Sequence, residues 1–278
     1  MSKKSILITG CSSGIGENAA HALREHGWRV FASCRQQQDC DRLRDEGFDS
    51  PLIDYTDQNT IHTGFTDVLD ATHGTLDALF NNGAYGLFGA VEDLPTQGLR
   101  DIFETNVFGW HELTRLAVPV MRTQQRGHII QCSSVLGFAY CPWRGAYSAT
   151  KHALRAMTDT LRIELRDTGI KVVLIEPGPI TTKFRVNSIP VSQHWFDWEN
   201  SPNKEKYEAG LLKRLYEGRG KKDPFELPPS EVSRKIIHAL ETTNPKTRYK
   251  ITGATYLAAL LRWSLPTKIL DNIVVHIQ

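Results

Sequence analysis

The sequence predicts a doubly wound α/β fold, a parallel sheet of about seven strands with helices on both faces, in one domain. Three observations predict it. Short apolar runs alternate with stretches of helical periodicity through the first two thirds of the chain. The first apolar run passes directly into a glycine-rich turn that opens a helix. The composition, 40% hydrophobic and 23% charged over 278 residues, is that of a folded globular chain, not of a disordered, collagen-like or polytopic membrane protein.

The elements follow in order. Ser5–Thr9 reads as a buried strand, Ile15–His26 as a helix stopped by Gly27, and Trp28–Cys34 as a second strand. A short helix over Cys40–Glu46 leads to a third strand, Pro51–Asp54, and Thr60–Thr72 is helical up to Gly74. Leu76–Asn81 is a fourth strand, Leu99–Arg122 a long helix, His128–Ser133 a fifth strand, Ala146–Asp167 a second long helix and Lys171–Glu176 a sixth strand. Strands separated by helices pair in parallel, because each crossover needs a helix to return the chain. The ligand crevice is then expected at the carboxyl ends of the strands. After Pro177 the rhythm breaks. Residues 183–229 hold no clear strand but carry Trp195, Phe196, Trp198, Tyr207, Tyr216 and Phe225, the pattern of a loop insertion over a substrate. Ser230–Thr243 is a capped helix and Arg248–Ile251 a last strand. Residues 254–278 form an amphipathic tail, with Leu257, Leu260, Leu261, Ile269, Leu270, Ile273 and Val274 at helical spacing. Charges at Arg262, Lys268 and Asp271 exclude a membrane span, leaving the tail to dock on its own domain, on a partner subunit or on a membrane surface.

The charge balance, 33 Lys+Arg against 31 Asp+Glu, is a net +2 and gives no reason to expect a nucleic-acid partner. The five cysteines are odd in number and form no C-x-x-C pair, which argues against a disulfide framework or zinc ribbon and for a reducing, cytoplasmic setting. Met-Ser-Lys-Lys before a short apolar run is no secretory signal. The ten histidines, His128 and His152 included, show no metal-ligand spacing, so no metal is expected.

Gly10-Cys-Ser12-Ser13-Gly14-Ile15-Gly16 stands between the first strand and the first helix. There Gly10 turns the chain, Gly14 admits a pyrophosphate against the backbone, and Gly16 lets the helix pack on the strand. The helix N-terminus offers free N–H groups and positive dipole to phosphates. The end of the second strand has no carboxylate for an adenosine ribose. It has Arg35, a planar cation suited to a 2′-phosphate, with Ser12 and Ser13 as hydroxyl donors; the expectation is NADP(H) in preference to NAD(H). Tyr147 and Lys151 share one helical face at i, i+4, and Ser134 lies thirteen residues before Tyr147 at the end of the fifth strand. A free tyrosine, at a pKa of about 10, is a weak base near neutrality. A nearby ammonium lowers that value toward the working pH of an acid/base catalyst. Ser134 is preferred to Ser133 because adjacent strand residues face opposite ways.

These motifs, T-G-x-x-x-G-x-G at Thr9–Gly16 and S-x12-Y-x3-K at Ser134–Lys151, resemble those of the short-chain dehydrogenase/reductase family. So do Asn81-Asn82-Gly83-Ala84, Asn106-Val-Phe-Gly109 and Pro177-Gly178-Pro-Ile180-Thr-Thr182. The branch is similar to 17β-hydroxysteroid and retinol dehydrogenases and to bacterial NADP-dependent aldehyde reductases. The resemblance implies a Rossmann-type fold and an oxidoreductase interconverting an apolar aldehyde or ketone with its alcohol. It implies that Asn106 positions a relay water, that Asp54 contacts the adenine (or caps the next turn), and that Asn82 bridges the cofactor or braces the sheet. Pro177, Gly178, Ile180 and Thr182 would hold the nicotinamide end, and Lys151 the ribose. The family's N-N-A-G is exchanged here to N-N-G-A at Gly83-Ala84. Tyr85 and Trp143, with Ser134 and Tyr147, are the candidate substrate contacts, and a homodimer or homotetramer is common in the family. A non-enzymatic NADP(H)-binding sensor or scaffold is the alternative on the same fold.

Overall fold

The computed structural model describes residues 3–276 apart from Arg219 and Lys221. The extreme ends of the 1–278 domain span, the last two tail residues and those two insertion positions therefore lie outside the described residues. The chain forms one parallel sheet of six strands in the order β2-β1-β3-β4-β5-β6, with β1 at Ser5–Ile8, β2 at Arg29–Ala32, β3 at Ala78–Asn81, β4 at Gly127–Cys132, β5 at Ile170–Pro177 and β6 at Arg248–Ile251. The crossovers run through α1 (Gly14–Glu25), α2 (Gln37–Asp45), α3 (Gln58–Ala71), α4 (Thr96–Phe103), α5 (Gly109–Gln124) and α6 (Gly145–Glu164). β1, β3 and most of β4 and β5 are buried, as continuous apolar runs require in a sheet covered on both faces. The strand order reverses between β1 and β3, which opens a crevice at their carboxyl ends.

Two expected elements differ. The strand expected at Pro51–Asp54 is reduced to isolated bridges, Phe31 with Asp49 and Cys34 with Leu52, along the outer edge of β2. Pro51 has no N–H to donate to a ladder, so pairing is interrupted between the two bridges and the sheet has six strands. The long helix expected at Leu99–Arg122 is interrupted by a wider, π-type turn over Glu104–Phe108, between α4 and α5. Such turns re-aim side chains and recur at functional sites; this one carries Asn106.

The 183–229 insertion folds as α7 (Phe184–Trp195), a one-turn α8 (Lys204–Lys206), a π-type turn (Tyr207–Leu212) and α9 (Lys213–Tyr216). Phe196, Trp198 and Tyr207 are buried in a second apolar cluster with Leu87, Phe88 and Ile102, whereas Tyr216 and Phe225 stay exposed. Two buried serines pin α7 to the loop after β3: Ser188 Oγ accepts from Gly86 N–H at 2.9 Å and Ser192 Oγ from Phe88 N–H at 3.1 Å. α10 (Ser230–Glu241) precedes β6. The tail forms α11 (Gly253–Ser264) and α12 (Thr267–Val274). It docks on its own domain: Leu270 and Val274 are buried, and Tyr140 donates to Asp271 Oδ1 at 2.7 Å. The outward face of α11 leaves Tyr256, Leu257, Leu260 and Trp263 exposed. Among the described residues no helix is long and apolar enough to cross a membrane.

Candidate active site

A cavity of about 930 Å³ opens at the carboxyl ends of the strands. Its wall takes in the glycine turn, Arg35, Asp54, Asn82, Tyr85, Ser134, Tyr147, Lys151 and Pro177–Thr182. Residues from both ends of the motif order therefore meet in one space.

The glycine turn leads from β1 into α1. Gly10 and Gly14 have φ of +68° and +67°, a left-handed conformation that side chains resist. A Cβ on Gly14 would stand 3.1 Å from Thr182, so the turn and the loop after β5 face each other across a narrow cradle. A Cβ on Gly16 would fall 2.3 Å from the Gly10 carbonyl oxygen, which is rigid backbone. Gly16→Val is expected to destabilise the fold by about 2–3 kcal/mol and to weaken dinucleotide binding, measured by thermal unfolding with and without NADP. Ser13 caps α1 without a side-chain hydrogen bond, leaving its hydroxyl and the helix N-terminal amides for an anion. Gly10 packs directly on the exchanged Gly83-Ala84 pair: a Cβ on Gly10 would fall 2.6 Å from Gly83 Cα, whereas a Cβ on Gly83 would make only ordinary 3.4 Å contacts, so packing does not explain the exchange. Gly83 O accepts from Trp110 Nε1 at 2.8 Å. Asn82 braces the sheet, donating from Nδ2 to Thr9 O at 3.1 Å.

Two arginines flank the turn. Arg42 is held by Glu17 at 3.0 Å and Glu46 at 2.7 Å. Arg35 is exposed on the cavity wall and makes no ion pair or hydrogen bond with a described residue, so its guanidinium is uncommitted. Asp54 also lines the cavity, but its Oδ1 accepts from the Thr56 N–H (2.9 Å) and hydroxyl (2.8 Å), capping the following turn.

Ser134 ends the segment after β4, where its Oγ accepts from Leu136 N–H at 3.1 Å, and it shares the cavity wall with Tyr147. Ser133 points away and donates to Lys151 O at 3.4 Å, as strand alternation predicts. Burial pushes the Tyr147 phenol above its ordinary value, with the nearby Cys132 thiol adding to the rise and Ser134 opposing it. Lys151 is 1% exposed; its ammonium donates to Cys132 O at 2.8 Å and lies 4.3 Å over the Trp110 ring. Burial brings its pKa down to about 8. The expectation that the ammonium lowers the phenol is not met in this arrangement. Nζ is turned to Cys132 O and stands 5.6 Å from the Tyr147 ring centre. Asn106, fully buried, clamps the loop after β3: its carbonyl accepts from Tyr85 N–H at 3.2 Å, and its amide donates to Tyr85 O at 2.9 Å and Thr150 Oγ1 at 3.3 Å.

Tyr85 lines the cavity, but Trp143 does not. Trp143 adopts φ +64°, and its ring packs 5.1 Å from that of Tyr207 in the second cluster. The wall instead gains Phe88, Phe184 and Arg144, together with Leu261, Leu270, Ile273 and Val274 of the tail. The helical stripe of the tail is visible in the sequence; that its inner face closes the cavity is not.

The family model for short chain dehydrogenases matches residues 4–190. The chain is 38% identical over 271 residues to the oxidoreductase YbbO of Escherichia coli K12, covering 98% of this chain and 94% of that protein. It is 28% identical over 277 residues to the NADPH-dependent 3-dehydrocapnine reductase of Ornithobacterium rhinotracheale, covering 96% and 94%. A short-chain dehydrogenase structure from Streptomyces avermitilis superposes with a TM-score of 0.77 at 29% identity, covering 98% and 94%. The chain belongs to the short-chain dehydrogenase/reductase family, and the fold and site described above are those of a nicotinamide-dependent oxidoreductase.

Proposed function

We propose that the chain is an NADP(H)-dependent oxidoreductase interconverting an apolar aldehyde or ketone with its alcohol. The observation that carries this is the meeting of Ser134, Tyr147 and Lys151 with the glycine cradle in one cavity. The cradle fits a dinucleotide: a side chain at Gly14 would fill it, and α1 presents its N-terminal amides there with Ser13 unspent. Gly10–Gly16 would hold the pyrophosphate, Arg35 the 2′-phosphate, Asp54 and Asn82 the adenosine side, and Pro177, Gly178, Ile180 and Thr182 the carboxamide. Bound there, the nicotinamide supplies or accepts the hydride.

The chain's own residues do the remainder. Ser134 donates to the substrate oxygen and fixes its direction. Tyr147 gives that oxygen a proton in reduction and takes it in oxidation. Lys151 is buried without a carboxylate partner among the described residues, so its ammonium is available to the ribose hydroxyls and, once turned from Cys132, to the phenol. Asn106, held rigid by its clamp on Tyr85, would position a relay water toward Lys151. The aromatic walls at Phe88 and Phe184 exclude water and suit an apolar substrate.

A screen of aldehydes, ketones, steroids and retinoids, followed by NADPH absorbance, tests the reading. NADPH binding without turnover across that panel favours the sensor alternative, for which an intact Ser134–Tyr147–Lys151 set has no use. Cofactor choice rests on Arg35 being uncommitted where Arg42 is paired. Arg35→Asp is expected to weaken NADPH by about 10–100-fold more than NADH, the worth of a charged hydrogen-bonded pair. Equal losses for the two cofactors, measured by titration of each, would refute the 2′-phosphate role.

A further inference from the structure

Arg144 lies one helical turn before Tyr147, at the start of α6, and its side chain is part of the same cavity wall. A guanidinium has five N–H donors and wants a counter-charge when it leaves water. Other arginines of this chain have one: Arg214 binds Asp223, Arg248 binds Asp159 and Arg162 binds Asp159. Arg144 pairs with no carboxylate among the described residues. Its one protein acceptor there is the Trp143 carbonyl at a long 3.4 Å, which already accepts from Gly89 N–H at 3.2 Å. The carboxylate whose charge reaches it, Asp223, is engaged through both oxygens by Arg214.

What holds Arg144 in place is an aromatic wall. Its guanidinium lies 4.2 Å over the Phe88 ring. Phe88 meets Phe184 at 6.4 Å between ring centres, and Phe184 meets Tyr147 at 5.3 Å. The wall thus runs from the phenol hydroxyl, over two apolar rings, to a cation with unspent donors. That sequence of chemistries is the complement of a ligand with a carbonyl at one end, an apolar middle and an anion at the other.

We propose that the substrate carries an oxyanion, of the carboxylate kind, and that Arg144 receives it at the Phe88 end of the aromatic wall. The proposal rests on the carbonyl-reductase reading above and narrows it to apolar oxo-acids. A planar guanidinium matches a carboxylate through two parallel hydrogen bonds along its edge, and the Phe88 ring stacked on one face holds its orientation.

The test compares an ω-oxo alkanoate with its methyl ester of equal chain length in wild type, Arg144→Gln and Arg144→Lys. In parallel, calorimetry follows binding of an unreactive alkanoate and its methyl ester to the same proteins. Wild type is expected to prefer the acid over the ester in kcat/KM by about 10–100-fold. Arg144→Gln should collapse that ratio toward one, and Arg144→Lys should keep part of it. Alkanoate binding should be lost in Arg144→Gln. An acid-to-ester ratio near or below one in wild type, or an equal ratio in wild type and Arg144→Gln, overturns the anion site. If neither compound is reduced, the binding arm decides. Alkanoate binding that depends on Arg144 keeps the anion site while the reductase reading fails; binding indifferent to Arg144 overturns the site itself. Should Arg144→Gln not fold, the wild-type ratio and its reduction in Arg144→Lys decide the same question.

Discussion

Tyr147→Phe is expected to lower kcat about a thousandfold while leaving NADPH affinity and thermal stability close to those of wild type. The substitution removes one oxygen. The ring keeps its packing on Phe184 at 5.3 Å, so neither the wall nor the cofactor cradle should move. What disappears is the group that exchanges a proton with the substrate oxygen, and positioned proton transfer is worth about 10²–10⁴-fold. The pH profile should be directional. Burial raises the Tyr147 phenol, so it holds its proton near neutrality. It is therefore ready as an acid for reduction and poor as a base for oxidation. Alcohol oxidation should rise steadily as pH is raised, and reduction should not. Residual reduction above about a tenth of wild type would remove Tyr147 from the role of acid.

Lys151→Met should abolish turnover and, at neutral pH, relieve a cost to the fold. The ammonium is buried, and its only direct polar partner among the described residues is a carbonyl oxygen. Its pKa is depressed from 10.5 to about 8. Between those values the unfolded chain binds the proton and the folded chain does not. Wild-type stability therefore rises with pH across that window, and the cost is fully present below about pH 8. The shift corresponds to about 3 kcal/mol. Urea unfolding of wild type and Lys151→Met at about pH 7 and about pH 10 checks this: wild type should gain about 3 kcal/mol relative to the variant over that interval. A difference that stays flat with pH would mean the lysine is not destabilised by its surroundings. A buried cation kept at such a cost is characteristic of a functional site.

Much of this site is legible in the sequence because its chemistry is local. The glycine turn needs left-handed backbone at Gly10 and Gly14, and Tyr147 and Lys151 need only one helical turn between them. The parallel pairing follows from helices separating apolar runs. What is not legible depends on contacts between distant segments. Pro51 reads as the start of a strand until the β2 edge shows how little of it can pair. The π-type turn at Glu104–Phe108 has no sequence signature, yet it aims Asn106 at the Tyr85 backbone. Trp143 reads as a substrate contact from its place beside the catalytic helix, but Tyr207, far along the chain, draws its ring into another cluster. Arg144 reads as an ordinary charge until the structure shows it paired with no carboxylate among the described residues, Asp223 being engaged by Arg214. The inner face of α12 reads only as a helical stripe until Tyr140 and Asp271 tie it over the cavity.

The central claim is that this one cavity carries hydride between a nicotinamide and a carbonyl carbon, with Tyr147 handling the proton. The most direct measurement is the fate of deuterium placed at both C4 positions of the nicotinamide of NADPH, followed by mass spectrometry of the alcohol formed from a reactive aldehyde or ketone. One deuterium on the carbinol carbon, formed by wild type and at about a thousandth of the rate by Tyr147→Phe, is the predicted result. NADPH that binds in the cradle while no carbonyl of the panel gains deuterium would contradict the account.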